Sequence, residues 1–216
     1  HNVETLANIP PIINRGAEWF NAIGTERSTG SKLFCVSGHV RKRGNYELPL
    51  GTPLREIIFE HAGGMRGDKP FKACIPGGAS TPVLTTEHLD VPMDFESVVE
   101  AGSMLGTGAI VVMEEGTDMV DVARRLMRFF VHESCGKCTP CRGGTRQLAD
   151  TLDRIVAGQG QKGDIELLQN ICGNMVGNTF CPMGEAAVNP VLSTLKRFPD
   201  EYEYYIEHKR SLTAAH

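Results

Sequence analysis

The sequence has 216 residues, which is enough for one large domain or two small domains with cores of their own. Its hydrophobic content of 41%, its charged content of 22% and its net charge of −4 are ordinary for a globular protein. They give no reason to expect nucleic acid or an anionic membrane as a partner. No apolar run approaches the ~20 residues of a membrane span, and no signal peptide opens the chain, so we expect no direct membrane insertion.

The first half of the sequence predicts a helical segment followed by a small domain of strands. The chain begins with His1 and enters this helical segment at once, which favours a fragment of a longer polypeptide. Two strand-forming segments flank the turn "RKRG" and predict a hairpin. The predicted elements are a helix over 3–23 interrupted at Pro10 and Pro11, strands over 32–40, 45–50, 71–78 and 108–115, a helix over 53–62 capped by Thr52, and a helix over 94–101. This order indicates a β-grasp-like domain over 32–116.

The second half of the sequence predicts helices alone. No strand pattern follows Thr117, and apolar residues recur at helical spacing instead. The predicted helices cover 118–134, 145–158, 164–175 and 185–198, and a charged, partly exposed stretch follows them. Short polar loops between the helices favour an antiparallel bundle. We therefore expect an α+β protein in which a small β-grasp-like domain precedes an antiparallel helical bundle.

Three of the seven cysteines stand two residues apart in the segment "ESCGKCTPCRGG". Because no secretory signal is present, metal or redox chemistry is a stronger interpretation of Cys135, Cys138 and Cys141 than a disulfide framework. Bacterial ferredoxins bind a [4Fe–4S] cluster with this run and with a further cysteine that precedes proline. In this sequence Cys181 precedes Pro182. We predict that Cys135, Cys138, Cys141 and Cys181 bind a [4Fe–4S] cluster on the helical bundle.

Other interpretations of the cysteine group remain open at this stage. Cys172 competes with Cys181 as fourth ligand, but it falls on an apolar helical stripe where a core cysteine is usual. A zinc site and a disulfide are alternatives for the triplet, although structural zinc usually takes two separated cysteine pairs. Lys137, Arg142 and Arg146 flank the thiols, and their positive charge would offset that of a four-thiolate cluster.

Five segments, taken together, resemble a known family. They are "NVETLANIP", "SGHVRKRGNYELPLGTPLREII", "GGMRG", "ESCGKCTPCRGGT" and "TFCPMG", in this order along the chain. They resemble the flavin-binding (NADH-binding) subunit of respiratory NADH:quinone oxidoreductase, which is the F subunit of complex I. The resemblance covers essentially the whole chain but only the C-terminal half of the family's pattern, because the glycine-rich FMN and NADH site of the N-terminal half is absent.

The resemblance implies a domain plan and an electron-transfer function. Residues 1–31 would be the end of the flavin-binding domain and a connector, 32–116 the soluble-ligand-binding β-grasp domain, and 117–216 the helical [4Fe–4S]-binding domain with a C-terminal tail. In the family, NADH reduces FMN, and a [4Fe–4S] cluster accepts single electrons and passes them along an Fe–S chain toward quinone. The flavin does the chemistry, so no catalytic side chain is expected, and Asn2 and Thr5 would contact FMN.

The resemblance also implies partners and a location. These are other Fe–S subunits of the complex I peripheral arm, including the [2Fe–2S] subunit, on the cytoplasmic side of a membrane-bound complex. The fragment alone is expected to be inactive. One alternative is the diaphorase subunit of a NAD-linked hydrogenase or formate dehydrogenase, and another is a zinc-stapled interaction module without a redox role.

Overall fold

The computed structural model describes residues 1–213, which form two compact units. The first unit comprises His1–Gly78 and Leu84–Glu115, and the second comprises Ala79–Val83 and the chain from Gly116 onward. Strands lie in the first unit and helices dominate the second, so the predicted α+β class is confirmed. Within residues 1–213, none of the helices is both long and apolar enough to cross a membrane.

The first unit is built on a five-stranded mixed sheet. Its strands are β1 (Ser31–Gly38), β2 (Gly44–Pro49), β3 (Phe71–Ile75), β4 (Leu84–Thr85) and β5 (Ala109–Glu114). The strand order is β2-β1-β5-β3-β4. The predicted hairpin is present as the antiparallel pair β1–β2, and β1 pairs in parallel with β5 at the centre. Strand β3 pairs in antiparallel fashion with β5 and β4.

Helical segments lie at the start of the first unit and between its strands, and those between the strands contribute residues to its core. They are α1 (Val3–Arg15), α2 (Ala17–Asn21), α3 (Leu54–Glu56), which continues as a π-helical turn over Ile57–His61, and α4 (Phe95–Glu100). The core follows the period-two pattern of a strand, since Phe34 and Val36 of β1 are buried. These side chains lie in one cluster with Leu54, Ile58 and Ile110.

Two predictions for the first unit are wrong in detail. Helix α1 continues through Pro10 and Pro11 and ends at Gly16, whose φ of 90° favours glycine. The φ of proline suits a helix, and the two missing N–H donors leave carbonyls on an exposed helix that water can reach. Thr52 does not cap α3, because its hydroxyl donates to the Pro49 carbonyl and Pro53 takes the cap position.

The second unit is helical around its own core. Its helices are α5 (Met119–Glu133), α6 (Thr139–Arg154), which continues as a π-helical turn over Ile155–Gln159, α7 (Asp164–Met175), α8 (Pro182–Ala186), α9 (Asn189–Arg197) and α10 (Pro199–His208). The core of this unit includes Leu148, Leu168, Val191 and Tyr202, each with 0% of its surface exposed. Helices α6, α7, α9 and α10 therefore share one core, and the four predicted ligands lie near the connections between α5 and α6 and between α7 and α8.

Three boundaries in the second unit differ from the prediction. Helix α6 begins at Thr139 rather than 145, since Pro140 suits the first helical turn and Cys138 is extended ahead of it. The segment predicted as one helix over 185–198 is divided between α8 and α9. The charged stretch after it is helix α10, in which Tyr202 is fully buried.

Candidate iron–sulfur site

The cysteine triplet spans the connection from α5 to α6. Ser134 ends α5, and Gly136 has a φ of 75°, which lets the chain turn sharply between the first two cysteines. Cys138 precedes α6, and Cys141 lies in its first turn. Cys135 is exposed, Cys138 is partly exposed and Cys141 is buried, so the triplet runs from the surface into the helical unit.

The predicted fourth ligand lies in the loop between α7 and α8. Cys181 is exposed and immediately precedes α8. Gly177, with a φ of 73°, opens this loop, and its N–H donates to Glu185 Oε1 at 3.0 Å. A Cβ atom at Gly184, in α8, would lie 2.5 Å from Thr179 Cγ2, so a larger residue there would displace the Thr179 side chain. The "TFCPMG" segment is thus a tightly closed loop.

The structure brings these two cysteine-bearing loops together. Cys141 Sγ lies 3.7 Å from Met183 Sδ, and Lys137 Nζ lies 4.5 Å from the centre of the Phe180 ring. A hydrogen bond from the backbone of Phe180, which adjoins Cys181, lowers the pKa of the Cys138 thiol from its ordinary value. Because the thiolate is the form that binds metal, this contact favours Cys138 as a ligand.

The four sulfurs do not converge as they would around a single ion. Among residues 1–213, no group of three or more His, Cys, Asp or Glu side chains is close enough to hold a metal ion. In a [4Fe–4S] cluster each thiolate binds its own iron, so the sulfurs need not meet at one point. The donor set fits such a cluster: three cysteines lie at or just before the start of α6, and the segment around the fourth contacts Cys141 through Met183 and Lys137 through Phe180.

The competing cysteine does not lie at this site. Cys172 has 0% of its surface exposed and belongs to the apolar core of the second unit, and burial raises the pKa of its thiol to about 12. Cys35 is exposed on β1, whereas Cys74 is buried on β3. Both of these belong to strands of the first unit.

The cations predicted around the thiols are engaged in different ways. Arg142 Nη1 donates to the Gly136 carbonyl at 2.6 Å and so fastens the loop between the first two cysteines. Arg146 forms an ion pair with Asp150 at 3.1 Å along α6. Lys137 lies over the Phe180 ring. The offset of thiolate charge therefore stays a prediction that falls mainly on Lys137 and Arg142.

The residues predicted to contact FMN lie at the start of α1. Asn2 and Thr5 are both exposed, and Asn2 Oδ1 accepts the Glu4 N–H at 2.8 Å as the helix cap. A cavity of about 770 Å³ lies between α1, α2 and the β1–β2 hairpin, and neither Asn2 nor Thr5 lines it. The structure gives Asn2 a capping role, and the flavin contact of both residues stays a prediction.

Comparisons with known proteins agree with this architecture. Residues 121–205 match the family model described as "NADH-ubiquinone oxidoreductase-F iron-sulfur binding region", and residues 32–122 match the SLBB domain model. The second F subunit of NADH-quinone oxidoreductase in Rhizobium meliloti is 50% identical over 97% of this chain and 50% of its own length. The F subunit of the Mycobacterium tuberculosis enzyme is 48% identical over 96% of this chain and 46% of its own.

A solved structure shows the same fold. The NAD+-reducing [NiFe]-hydrogenase in the air-oxidized state matches with a TM-score of 0.86 and 36% identity, over 95% of this chain and 35% of that one. Fold and site thus define a protein with an SLBB domain and a 4Fe–4S-binding helical region. The chain belongs to the family of NADH-quinone oxidoreductase F subunits and corresponds to the C-terminal part of such a subunit. It spans about half the length of the curated relatives it matches.

Proposed function

We propose that this chain is the electron-transfer part of an NADH dehydrogenase flavoprotein subunit. Cys135, Cys138, Cys141 and Cys181 are the proposed ligands of a [4Fe–4S] cluster. When bound, such a cluster supplies one-electron redox chemistry. The observation that carries the proposal is the contact between the two cysteine-bearing segments, made by Met183 Sδ on Cys141 Sγ and by Lys137 on the Phe180 ring.

The chain's own residues shape the proposed site in distinct ways. Burial of Cys141 beneath Met183 keeps water from one sulfur, while Cys135 and Cys181 remain at the surface. A site that is buried on one side and exposed on the other can be held by a stable core and still exchange electrons with groups outside. Neither a general acid nor a nucleophile is needed, because the cofactors carry the chemistry.

FMN and NADH enter this proposal through the rest of the subunit. The chain matches about half of each curated relative, and the names of those relatives include NADH and quinone. We place the FMN and NADH site mainly in the half that this chain does not match, with Asn2 and Thr5 contributing an edge. On this proposal the 216 residues alone do not oxidise NADH. The proposed partners are other Fe–S subunits of a peripheral arm on the cytoplasmic side, including the [2Fe–2S] subunit.

A second candidate is the diaphorase subunit of a NAD-linked hydrogenase. The likeness to the NAD+-reducing [NiFe]-hydrogenase favours it, with a TM-score of 0.86. The sequence identity to that structure is 36%, against 48–50% to the F subunits of NADH-quinone oxidoreductase. We therefore place the respiratory complex first. Purification of the complex from its native host decides between them, since a hydrogenase would bring nickel and hydrogen-dependent reduction of NAD+.

The test of the cluster is its stoichiometry. Protein purified without oxygen should contain about four iron and four acid-labile sulfide per chain and should give a low-temperature EPR signal after reduction. The matched control is the same chain with Cys135, Cys138 and Cys141 all changed to Ala, which should contain neither. About one zinc per chain and no sulfide would overturn the proposal and leave a structural metal module.

A further inference from the structure

A serine hydroxyl contacts the sulfur of the buried cysteine in the candidate site. Ser134 Oγ lies 3.4 Å from Cys141 Sγ. Ser134 is the residue that ends α5, and its own N–H donates to the Phe130 carbonyl at 3.0 Å. The backbone that carries the hydroxyl is therefore fixed by the last turn of a 15-residue helix. This contact joins two helices, because Ser134 ends α5 and Cys141 lies on α6.

The direction of this hydrogen bond follows from the groups around it. The Gly136 N–H points to Ser134 Oγ at 3.4 Å and occupies one of its lone pairs. A hydroxyl has one proton to donate and two lone pairs to accept with, so the Ser134 proton stays available. A cysteine that binds metal is a thiolate, which has no proton and can only accept. With Cys141 as a ligand, the bond therefore runs from the Ser134 hydroxyl to the sulfur.

The surroundings of the cysteines make this donor significant at Cys141. Only 6% of the Cys141 surface is exposed, so water has little access to replace a lost hydroxyl. Cys135 and Cys181 are exposed, and water can hydrogen-bond to their sulfurs. Cys138 is partly exposed, so it is less sheltered from water than Cys141. Ser134 is thus a removable donor at the ligand that depends on it most.

We infer that Ser134 is a positioning residue that donates a hydrogen bond to the Cys141 thiolate and thereby raises the reduction potential of the cluster. The inference rests on the proposed function, since it requires Cys141 to be a ligand. Reduction adds negative charge that spreads over the sulfurs, and a donor stabilises the reduced state more than the oxidised state. Loss of the donor should therefore make the midpoint potential more negative without changing the number of iron atoms.

The experiment measures the midpoint potential by EPR-monitored titration of the anaerobically purified chain. Ser134→Ala removes the hydroxyl, and Ser134→Thr keeps it. Ser134→Val has nearly the shape of Ser134→Thr without the hydroxyl and so isolates the donor from the size of the side chain. Thr139→Ala is the matched control, because it removes a hydroxyl from the same segment that contacts Arg142 rather than sulfur. Iron and sulfide are counted in every variant.

Each outcome bears on the inference. We expect Ser134→Ala and Ser134→Val to keep four iron and shift the potential to more negative values, with Ser134→Thr and Thr139→Ala near the wild type. Full iron content with an unchanged potential in Ser134→Ala and Ser134→Val would overturn the inference and leave the proposed function intact. Loss of iron from both variants, with retention of iron in Ser134→Thr, would show that the hydroxyl holds the loop together. That result would also overturn the inference. A wild-type chain without iron and sulfide would overturn the proposed function itself.

Discussion

Substitution of two cysteines should separate cluster binding from core packing. The pair is Cys172→Ala and Cys181→Ala, which remove the same atom from opposite environments. Cys172 is fully buried in the core of the second unit, whereas Cys181 is exposed in the loop before α8. If Cys181 is the fourth ligand, its loss should abolish a stable cluster, and the loss of Cys172 should leave the cluster in place.

The folding stability of the two variants should show the opposite order: Cys172→Ala should be the less stable. Removal of Cys172 Sγ forgoes burial of one atom of about methylene size, worth about 0.8 kcal/mol, and a residual cavity raises the cost to about 1–2 kcal/mol. For a unit of about 100 residues, this lowers Tm by about 4–15 °C. Cys181 makes no comparable core contact, so in cluster-free protein Cys181→Ala should stay within about 0.5 kcal/mol of the wild type.

Two measurements on each variant test this reasoning. Iron and acid-labile sulfide per chain, with the EPR signal of the reduced protein, report the cluster. Thermal unfolding followed by circular dichroism on chelator-treated protein reports the core without the cluster. Retention of four iron in Cys181→Ala together with loss of iron in Cys172→Ala would refute the ligand assignment. A Cys172→Ala variant as stable as the wild type would refute the packing argument.

Two further predictions concern residues near the site and on α5. Although burial raises the pKa of Asp121, hydrogen bonds from Arg125 and Arg124 lower it overall. The stabilising effect of the Asp121 carboxylate, about 1 kcal/mol, is therefore present above about pH 4 and is lost as pH falls through its folded pKa. The difference in urea-unfolding free energy between wild type and Asp121→Asn should therefore narrow as pH falls from about 7 to about 3. Met183→Ala should lose iron in air several-fold faster than the wild type, because it uncovers the sulfur of Cys141, whereas Met183→Leu should not. Equal rates of iron loss in these two variants would contradict the covering role.

The β-grasp-like part of the fold could be predicted from local signals, and α10 could not. The alternation of buried and exposed residues in β1, together with the turn "RKRG", predicts the two strands of the hairpin to within a few residues. The stretch "DEYEYYIEHKR" contains mostly charged or polar residues and predicts a partly exposed segment. In the structure Glu201 Oε2 accepts the Met119 N–H at 2.8 Å, and the Tyr202 hydroxyl bonds Thr194 at 2.8 Å. The partner at Met119 lies 82 residues away, and single-sequence periodicity carries no information at that distance.

The candidate site shows the same division between local and distant information. The spacing of Cys135, Cys138 and Cys141, and the proline after Cys181, are local features that predict a ligand set. The contact of Met183 with Cys141 depends on how α6 and α8 pack, and no sequence pattern states it. The residue before the first cysteine, Ser134, is a further local feature, but its relevance depends on the distance between its hydroxyl and a sulfur.

The positions of two cysteines give a separate reason to assign them a functional role. Cys138 and Cys181 both occupy the residue before a helix, where Ser, Thr, Asp or Asn would accept a helix N–H. Neither carries a side-chain oxygen that could cap its helix, so each forgoes about 1 kcal/mol that a better cap would contribute. Local rules of this kind are broken most often at functional sites. Pro140 and Pro182 follow within two residues and set the helix start instead, so both helices can begin while the thiols remain available to a cluster.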